Sequence, residues 1–187
     1  MPSNPEIVSS RVKFLIGIVA VGLAGCSGLS ERHGETDPPT MDDIRNATVV
    51  GLFDDPVTLH DGSWEGEPYV VGGATRPTAG IIYKISVAGD LDGDCAAETV
   101  AFLWSATGGS GTRNNLAVFA QSRAGVSNRS TVLIGDRVKP RDARIVAGRL
   151  EVDVLEHGPD DAMCCPSVEA TRVWRFDGRD LREESGR

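Results

Sequence analysis

The stretch ARIVAGRLEVDVLE, residues 143–156, decides the fold class of this chain. From Leu150 onward apolar and charged residues alternate, so every second side chain points to the same face of a strand. The preceding ARIVA is also rich in branched residues, and Gly148 lies near the point where the two apolar segments meet. The stretch therefore predicts an antiparallel β-hairpin with one face in a core and one face in solvent.

The same kind of pattern recurs on both sides of this hairpin. Strand-like segments separated by turn residues lie at residues 49–53, 57–59, 81–87, 99–105, 116–122, 130–135 and 171–176. The last segment leads into a turn at Asp177-Gly178, and only residues 41–47, preceded by Thr40 as a cap, indicate a helical turn. We predict an all-β fold: a single, mainly antiparallel sandwich or curved-sheet domain over residues 41–187.

Length and charge narrow the classes of function. The chain has 187 residues, which is enough for one domain with a core, and its hydrophobic content of 40% is ordinary for a globular protein. Its net charge of -8 argues against nucleic acid as a partner and against electrostatic docking on anionic membranes.

The first residues carry the pattern of an export signal. Arg11 and Lys13 precede the apolar run FLIGIVAVGLAG (14–25), which is shorter than the roughly 20 residues that span a bilayer. LAGC (23–26) resembles the lipobox of bacterial lipoproteins. That resemblance implies a signal peptide over residues 1–25, a lipidated Cys26 and membrane attachment through acyl chains. Residues 26–40 are polar and contain two prolines, which predicts a tether.

The residue after the lipidated cysteine bears on location. In the lipoprotein family an aspartate at this position commonly marks retention in the inner membrane of bacteria with two membranes. Ser27 stands there in this chain. The resemblance therefore implies a lipid-anchored protein of the cell envelope, on the outer membrane facing the periplasm if the organism has two membranes.

The most specific chemical feature is the acidic loop GDLDGDCAAE, residues 89–98, between two predicted strands. Alternating acidic residues let several carboxylates turn toward one cation, and a main-chain carbonyl completes the set, as calcium loops require. The candidate ligands occupy positions 1, 3, 5, 7 and 9 of the loop, and they are Asp90, Asp92, Asp94, the Ala96 carbonyl and Glu98. The alternative to calcium binding is a solvent-exposed acidic hairpin turn that binds no ion.

The loop resembles the DxDxDGxxD loops of integrin-type calcium sites, which strands also flank. It departs from them at two positions: Cys95 stands where a glycine is expected, and Glu98 replaces an aspartate. A left-handed backbone at Cys95 would cost about 1 kcal/mol. Because every candidate ligand is local, bound calcium would have a structural role.

Three cysteines follow Cys26, and an exported protein usually holds such residues in disulfides. We expect Cys95 to pair with Cys164 or Cys165, which leaves one thiol over. A zinc site made of the three cysteines and His157 is the alternative, although the chain has no CxxC pair.

Two further features are best interpreted as structural rather than functional. The glycine-rich ATGGSGTRNN (106–115) lacks the GK[ST] of a phosphate loop and predicts a flexible hairpin connection. The larger aromatic residues would mostly lie in the core, but they are also candidates for an aromatic contact face; they are Trp64, Tyr69, Tyr83, Trp104 and Trp174.

The order of short motifs resembles a family of uncharacterised bacterial lipoproteins, over residues 41–180. The motifs are the lipobox, NATV (46–49), PVTLHDG (56–62), GDLDGD (89–94), WSATGGSGT (104–112), IGDRV (134–138) and DAMCCPS (161–167). This resemblance implies a location in the cell envelope and a domain of the same kind, but it does not imply a reaction.

We therefore expect a lipid-anchored, non-catalytic module of the cell envelope. Its partner would be an envelope protein, peptidoglycan or a small ligand. One alternative is a metal-dependent envelope hydrolase that uses the acids of residues 90–98. Another is an inhibitor that inserts the loop 108–115 into an envelope-degrading enzyme.

Overall fold

β-Strands make up nearly all of the regular structure, as the alternating sequence pattern predicts. The structure is a computed structural model in which residues 37–184 are described. In this part of the chain a single turn of helix, α1 (Met41–Ile44), precedes eleven strands. The strands are β1 (Thr48–Val49), β2 (Val57–Thr58), β3 (Ser63–Glu65), β4 (Thr78–Gly89), β5 (Glu98–Ala106), β6 (Arg113–Ser122), β7 (Gly125–Asp136), β8 (Lys139–Val146), β9 (Arg149–Glu156), β10 (Val168–Phe176) and β11 (Leu181–Glu183).

The strands form three antiparallel sheets. The central sheet has five strands in the order β3-β4-β5-β6-β7 and curls into a half-barrel. A second sheet has four strands in the order β11-β10-β9-β8, and β1 pairs with β2 in a small ribbon. The all-β prediction of a mainly antiparallel sandwich or curved sheet is confirmed.

The hairpin from which the fold was predicted is β8–β9. Ala147 and Gly148, between the two strands, have φ angles of +50° and +72°, and two such residues in succession are what a type I′ turn requires. The alternation in β9 buries Leu150, Val152 and Val154. The hairpin could therefore be predicted from the residues of its turn and from the alternation of apolar and polar residues along β9.

The central sheet is buried on both faces, which explains the continuous apolar run TVAFLWS. On one face, Ala101 and Leu103 of β5 pack in a core that also contains Ile44 from the N-terminal segment. On the other face, Val100 and Phe102 pack in a core shared with the four-stranded sheet. A strand covered on both sides needs apolar residues at every position.

Two polar contacts also join the large sheets. The Arg172 guanidinium of β10 donates to the Ile134 carbonyl of β7 at 2.7 Å. The Leu181 N–H of β11 donates to the hydroxyl of Ser130, also in β7, at 3.0 Å. These contacts hold the β10–β11 hairpin against β7.

The folded part begins before residue 41. Thr40 and Asp43 form a capping box at the start of α1. The Pro39 carbonyl accepts a hydrogen bond at 2.6 Å from the hydroxyl of Thr99, which is buried in β5. Residues 39 and 40 of the predicted tether are thus part of the domain. The predicted signal peptide, Cys26 and the tether as far as residue 36 lie outside the described residues.

The predicted strand over residues 49–53 is shorter in the structure. Gly51, with a φ of +78°, turns the chain out of extended geometry, so only Val49 of this segment lies in β1. Leu52 is nevertheless buried and Phe53 packs against the core. Among residues 37–184 there is no helix with the length and apolar character needed to cross a membrane.

Candidate metal site in the acidic loop

The acidic loop, residues 89–98, joins β4 to β5 at one end of the central sheet, with Gly89 as the last residue of β4 and Glu98 as the first residue of β5. Its ends are fixed because Gly89 pairs with Glu98 in the β4–β5 register. Leu91 is buried in the core that the two large sheets share. The loop backbone is therefore anchored from both ends and from inside.

Part of the reason for so many acids is local. The Asp90 carboxylate accepts the N–H groups of Gly93 at 2.6 Å and of Cys95 at 3.1 Å. Each of the next two aspartates accepts the N–H two residues further on, at 3.1 and 2.8 Å. Such side chain to backbone bonds satisfy donors that a turn leaves unpaired. The aspartates thus shape the loop as well as charging it.

The backbone at position 6 is left-handed, as the comparison with calcium loops predicts. Cys95 has a φ of +71° and Gly93 a φ of +85°. Cys95 therefore carries the steric cost of about 1 kcal/mol that glycine would avoid.

Three of the predicted ligands come together. Asp90, Asp92 and Glu98 each offer one carboxylate oxygen, and these oxygens all lie within 4.8 Å of one another. This group could hold a metal ion. Asp94 is outside the group, although it lines the adjoining cavity together with Ala96.

Glu98 is the unusual member of the group because the residue is only 3% exposed. One of its oxygens accepts the Leu91 N–H at 3.0 Å. Burial raises the pKa of the Glu98 carboxyl, and the charges of Asp92 and Asp94 raise it further against the opposing effect of that hydrogen bond. A cation beside this carboxylate would relieve the cost of its buried charge.

Asp92 is exposed, unlike Glu98, but partial loss of water around its carboxyl acts in the same direction. Its pKa is raised first by burial and then by the neighbouring charges of Asp94 and Asp90, while the Asp94 N–H acts in the opposite direction. Two acids with raised pKa values, side by side, mark a place where negative charge is poorly compensated.

A small cavity of about 60 Å³ adjoins the carboxylates. This volume is several times the minimum of about 10–15 Å³ that holds one water molecule, so an ion with a water ligand has room there. Every acidic side chain that lines the cavity belongs to residues 92–98, and the other large side chains around it are Gln121, Arg129 and Phe176. The carboxylates offer oxygen ligands to a cation, and the three acidic side chains outnumber the one guanidinium, that of Arg129, in the lining.

The cysteines differ from the sequence prediction. Cys164 and Cys165 are bonded to each other, so the expected pairing of Cys95 with one of them is wrong. Because both thiols are used in this bond, they are not available for the alternative zinc site with His157. No cysteine in residues 37–184 is free, Cys95 included, so the expected leftover thiol is not found there. Sequence spacing cannot reveal which cysteines meet.

The glycine-rich segment forms the connection from β5 to β6, as predicted. It is exposed at residues 107–110, but Gly108 has a φ of +82° and lies against Thr75 and Tyr69. The predicted aromatic residues divide: Trp174 is buried, whereas Tyr69 and Tyr83 are 58% and 55% exposed.

Two residues of the site had no signal in the loop sequence. Leu91 anchors the loop and supplies the N–H that holds Glu98. Gly178, in the turn between β10 and β11, lies so close that a Cβ there would be 2.9 Å from an Asp92 carboxylate oxygen. The Asp-Gly turn was recognisable, but its distance from the acidic loop depends on how the two sheets pack.

Comparison with known proteins gives no match: no protein-family model, curated protein or solved structure resembles the chain closely enough to count.

Proposed function

We propose that the chain is a lipid-anchored, non-catalytic module of the bacterial cell envelope whose acidic loop is braced by calcium. The observation that carries the calcium part is the convergence of Asp90, Asp92 and the buried Glu98. Calcium is the divalent ion that best suits several carboxylates in a loop of irregular geometry, because it accepts six to eight oxygens. Magnesium demands a stricter octahedron.

The structural role, rather than a catalytic one, is supported by the origin of the ligands. All of the acids around the cavity come from one loop, so a bound ion would tie β4 to β5 and fix the turn between them. A hydrolytic metal site needs an open coordination position and a base placed beside a substrate cleft. The cavity of about 60 Å³ is small for a substrate.

The envelope address is supported by the sequence of residues 11–26. A short apolar run followed by LAGC is the pattern that directs lipidation of the cysteine, Cys26 in this chain. The anchored domain would then act on a partner outside the cytosol, namely an envelope protein, peptidoglycan or a small ligand.

The anchor is tested by mass spectrometry on the protein isolated from cells that make it as an envelope protein. A chain that begins at Cys26 and carries the mass of two or three acyl groups is the expected result. An unmodified chain that still begins at Met1 would contradict the proposal.

The calcium site is tested by thermal unfolding of the full chain in mild detergent, with calcium, with magnesium and with chelator. A ligand at about 100 times its dissociation constant stabilises the folded state by about 2.7 kcal/mol. We expect the midpoint to rise with calcium, to rise less with magnesium and to fall with chelator. The Asp90→Asn variant should lose the calcium effect.

Asp160→Asn is the matched control for that variant. It removes the same charge from an exposed side chain that makes no hydrogen bond or ion pair among the described residues, so it should respond to calcium as the unaltered chain does. An unaltered chain whose midpoint is the same in calcium and in chelator would refute the calcium proposal.

A further inference from the structure

A second cavity, which we call the aromatic cleft, lies away from the acidic loop and shares no lining residue with its cavity. It has a volume of about 550 Å³, within the range of roughly 300–1,000 Å³ of small-molecule sites. The side chains that matter for its chemistry are Phe53, Asp54, Asp55, Trp64, Tyr69 and Arg113.

The aromatic walls of the cleft are fixed by the backbone around them. The rings of Phe53 and Trp64 contact each other with centroids 5.0 Å apart and planes tilted by 41°. A Cβ at Gly66 would lie 2.7 Å from both the Trp64 ring and Pro77. Only a glycine there allows the indole to lie so close to the chain, so the position of this wall is built in.

Tyr69 forms a more exposed wall. Its N–H donates to the Thr75 carbonyl at 3.1 Å, which closes the loop that carries it. A Cβ at Gly108 would be 3.2 Å from the Tyr69 ring, so the glycine-rich connection lies close to the ring. Tyr69 is nevertheless 58% exposed, so a ligand could contact its ring.

Three charged side chains in the cleft have no partner among the described residues. Asp54, Asp55 and Arg113 are exposed, and their side chains make no hydrogen bond or ion pair with any residue in the described range 37–184. Two carboxylates offer acceptors and one guanidinium offers donors, next to aromatic surfaces. The cleft therefore presents both kinds of hydrogen-bonding group beside an apolar wall.

This combination selects among ligand classes. A quaternary ammonium would use the aromatic faces and the carboxylates, but Arg113 would repel it. A phosphate would be repelled by Asp54 and Asp55. A pyranose ring has an apolar C–H face for the aromatic rings, and its hydroxyls both donate to carboxylates and accept from a guanidinium.

We infer that the aromatic cleft binds a neutral oligosaccharide of pyranose units. The inference names the ligand class that the proposed function leaves open, and in that respect rests on it. It needs neither calcium nor the lipid anchor.

The test is ligand-observed NMR, supported by tryptophan fluorescence, on the full chain in a detergent without a sugar headgroup. The probes are cellotetraose, maltotetraose and the β-1,4-linked tetramer of N-acetylglucosamine, each at up to millimolar concentration. At least one should bind, and Tyr69→Ala should weaken it by roughly tenfold, as expected for an aromatic anchor. The double variant Asp54→Asn, Asp55→Asn should also weaken it.

Met163→Ala and Asp160→Asn are the matched controls, because they truncate an exposed apolar side chain and neutralise an exposed acid outside the cleft. Both should bind the sugar normally. Absence of binding by all three probes would overturn the inference. So would binding that the cleft variants leave unchanged, or displacement of the sugar by tetramethylammonium, which would indicate a cation cage. The sugar titration is run once in calcium and once in chelator. A chain that binds calcium but no sugar would refute only the oligosaccharide inference, and a chain that binds sugar but no calcium would refute only the calcium proposal.

Discussion

Glu98 is a carboxylate held where its charge is poorly solvated, and the residues around it explain why it is kept there. The residue is almost completely buried, its carboxylate accepts the Leu91 N–H, and two aspartates add negative charge nearby. Buried acids normally have a compensating charge. A calcium ion between Glu98, Asp90 and Asp92 would supply one.

Gly178 allows a test at this scale because it touches the site without being a ligand. Gly178→Ala should cost about 1 kcal/mol in stability, since a φ of +85° disfavours a side chain. Its Cβ would also press on the Asp92 carboxylate at 2.9 Å, so calcium affinity should fall severalfold. Calorimetric titration with calcium and a thermal melt measure the two effects.

Gly72→Ala provides the comparison for that variant. Its φ of +77° is similar and nothing lies within 4 Å of the added Cβ, so it should lose a comparable amount of stability and keep full calcium affinity. Equal calcium affinity in the two variants would show that the position of Asp92 does not matter for binding.

The β10–β11 hairpin shows how single elements are stabilised by charge at their turns. The Asp177 carboxylate accepts the N–H groups of Asp180 at 2.7 Å and Arg179 at 3.1 Å, and pairs with Arg182. These bonds, the Asp180 N–H foremost, lower the pKa of the Asp177 carboxyl. The folded state thus favours its ionised form.

The sign of the resulting pH dependence follows directly. A carboxyl with a lowered pKa stabilises the fold above its unfolded pKa of about 3.9, and this stabilisation is lost as pH falls through the lower folded pKa. Asp177→Asn should therefore melt below the unaltered chain at neutral pH, and the gap should close in acid. Melts from pH 7 to pH 2, with Asp160→Asn alongside, would check this; a gap that stays constant would contradict it.

Elements with local causes could be predicted from sequence, and those with non-local causes could not. The β8–β9 hairpin follows from Gly148 and the alternation beside it, and the acidic loop from its spacing of acids. The short β3 was missed because its pairing partner, β4, decides it. The Cys164–Cys165 bond joins adjacent residues, and it was missed because a long-range pairing with Cys95 was expected instead. The proximity of Gly178 to Asp92 depends on the packed structure, which spacing along the chain does not encode.

At the scale of the whole molecule, the central sheet has a cover on each face, and the N-terminal segment is one of them. The buried Thr99 hydroxyl donates to Pro39, and Thr40 caps the helix that packs on the same face. A chain that begins at Met41 should be less stable than one that begins at Asp37. The expected loss is about 2 kcal/mol, from an unsatisfied buried hydroxyl and a missing cap.

The variant Thr99→Val isolates the hydroxyl in that comparison. It removes the buried donor. With Thr99→Val in both fragments, the difference in stability between the chain that begins at Asp37 and the chain that begins at Met41 should therefore decrease to the contribution of the Thr40 cap. Denaturant unfolding of the four proteins measures the coupling. Equal stability of the two unaltered fragments would show that residues 37–40 are dispensable to the fold.

The position of the acidic loop would let a bound ion stabilise the packing of the two large sheets. It links β4 and β5 next to the core that joins the two large sheets, through Leu91, so an ion there would act on the contact between the sheets. The aromatic cleft is lined by other residues, so a ligand in the cleft would not compete with an ion in the acidic loop.

The most direct test of the account is a calorimetric titration of the metal-free chain with calcium, beside Glu98→Gln and the Asp160→Asn control. The account predicts saturable binding of one calcium ion by the unaltered chain and by the control, and none by Glu98→Gln. A folded, metal-free chain that takes up no calcium at millimolar concentration, or a Glu98→Gln variant that binds it equally well, would contradict the account.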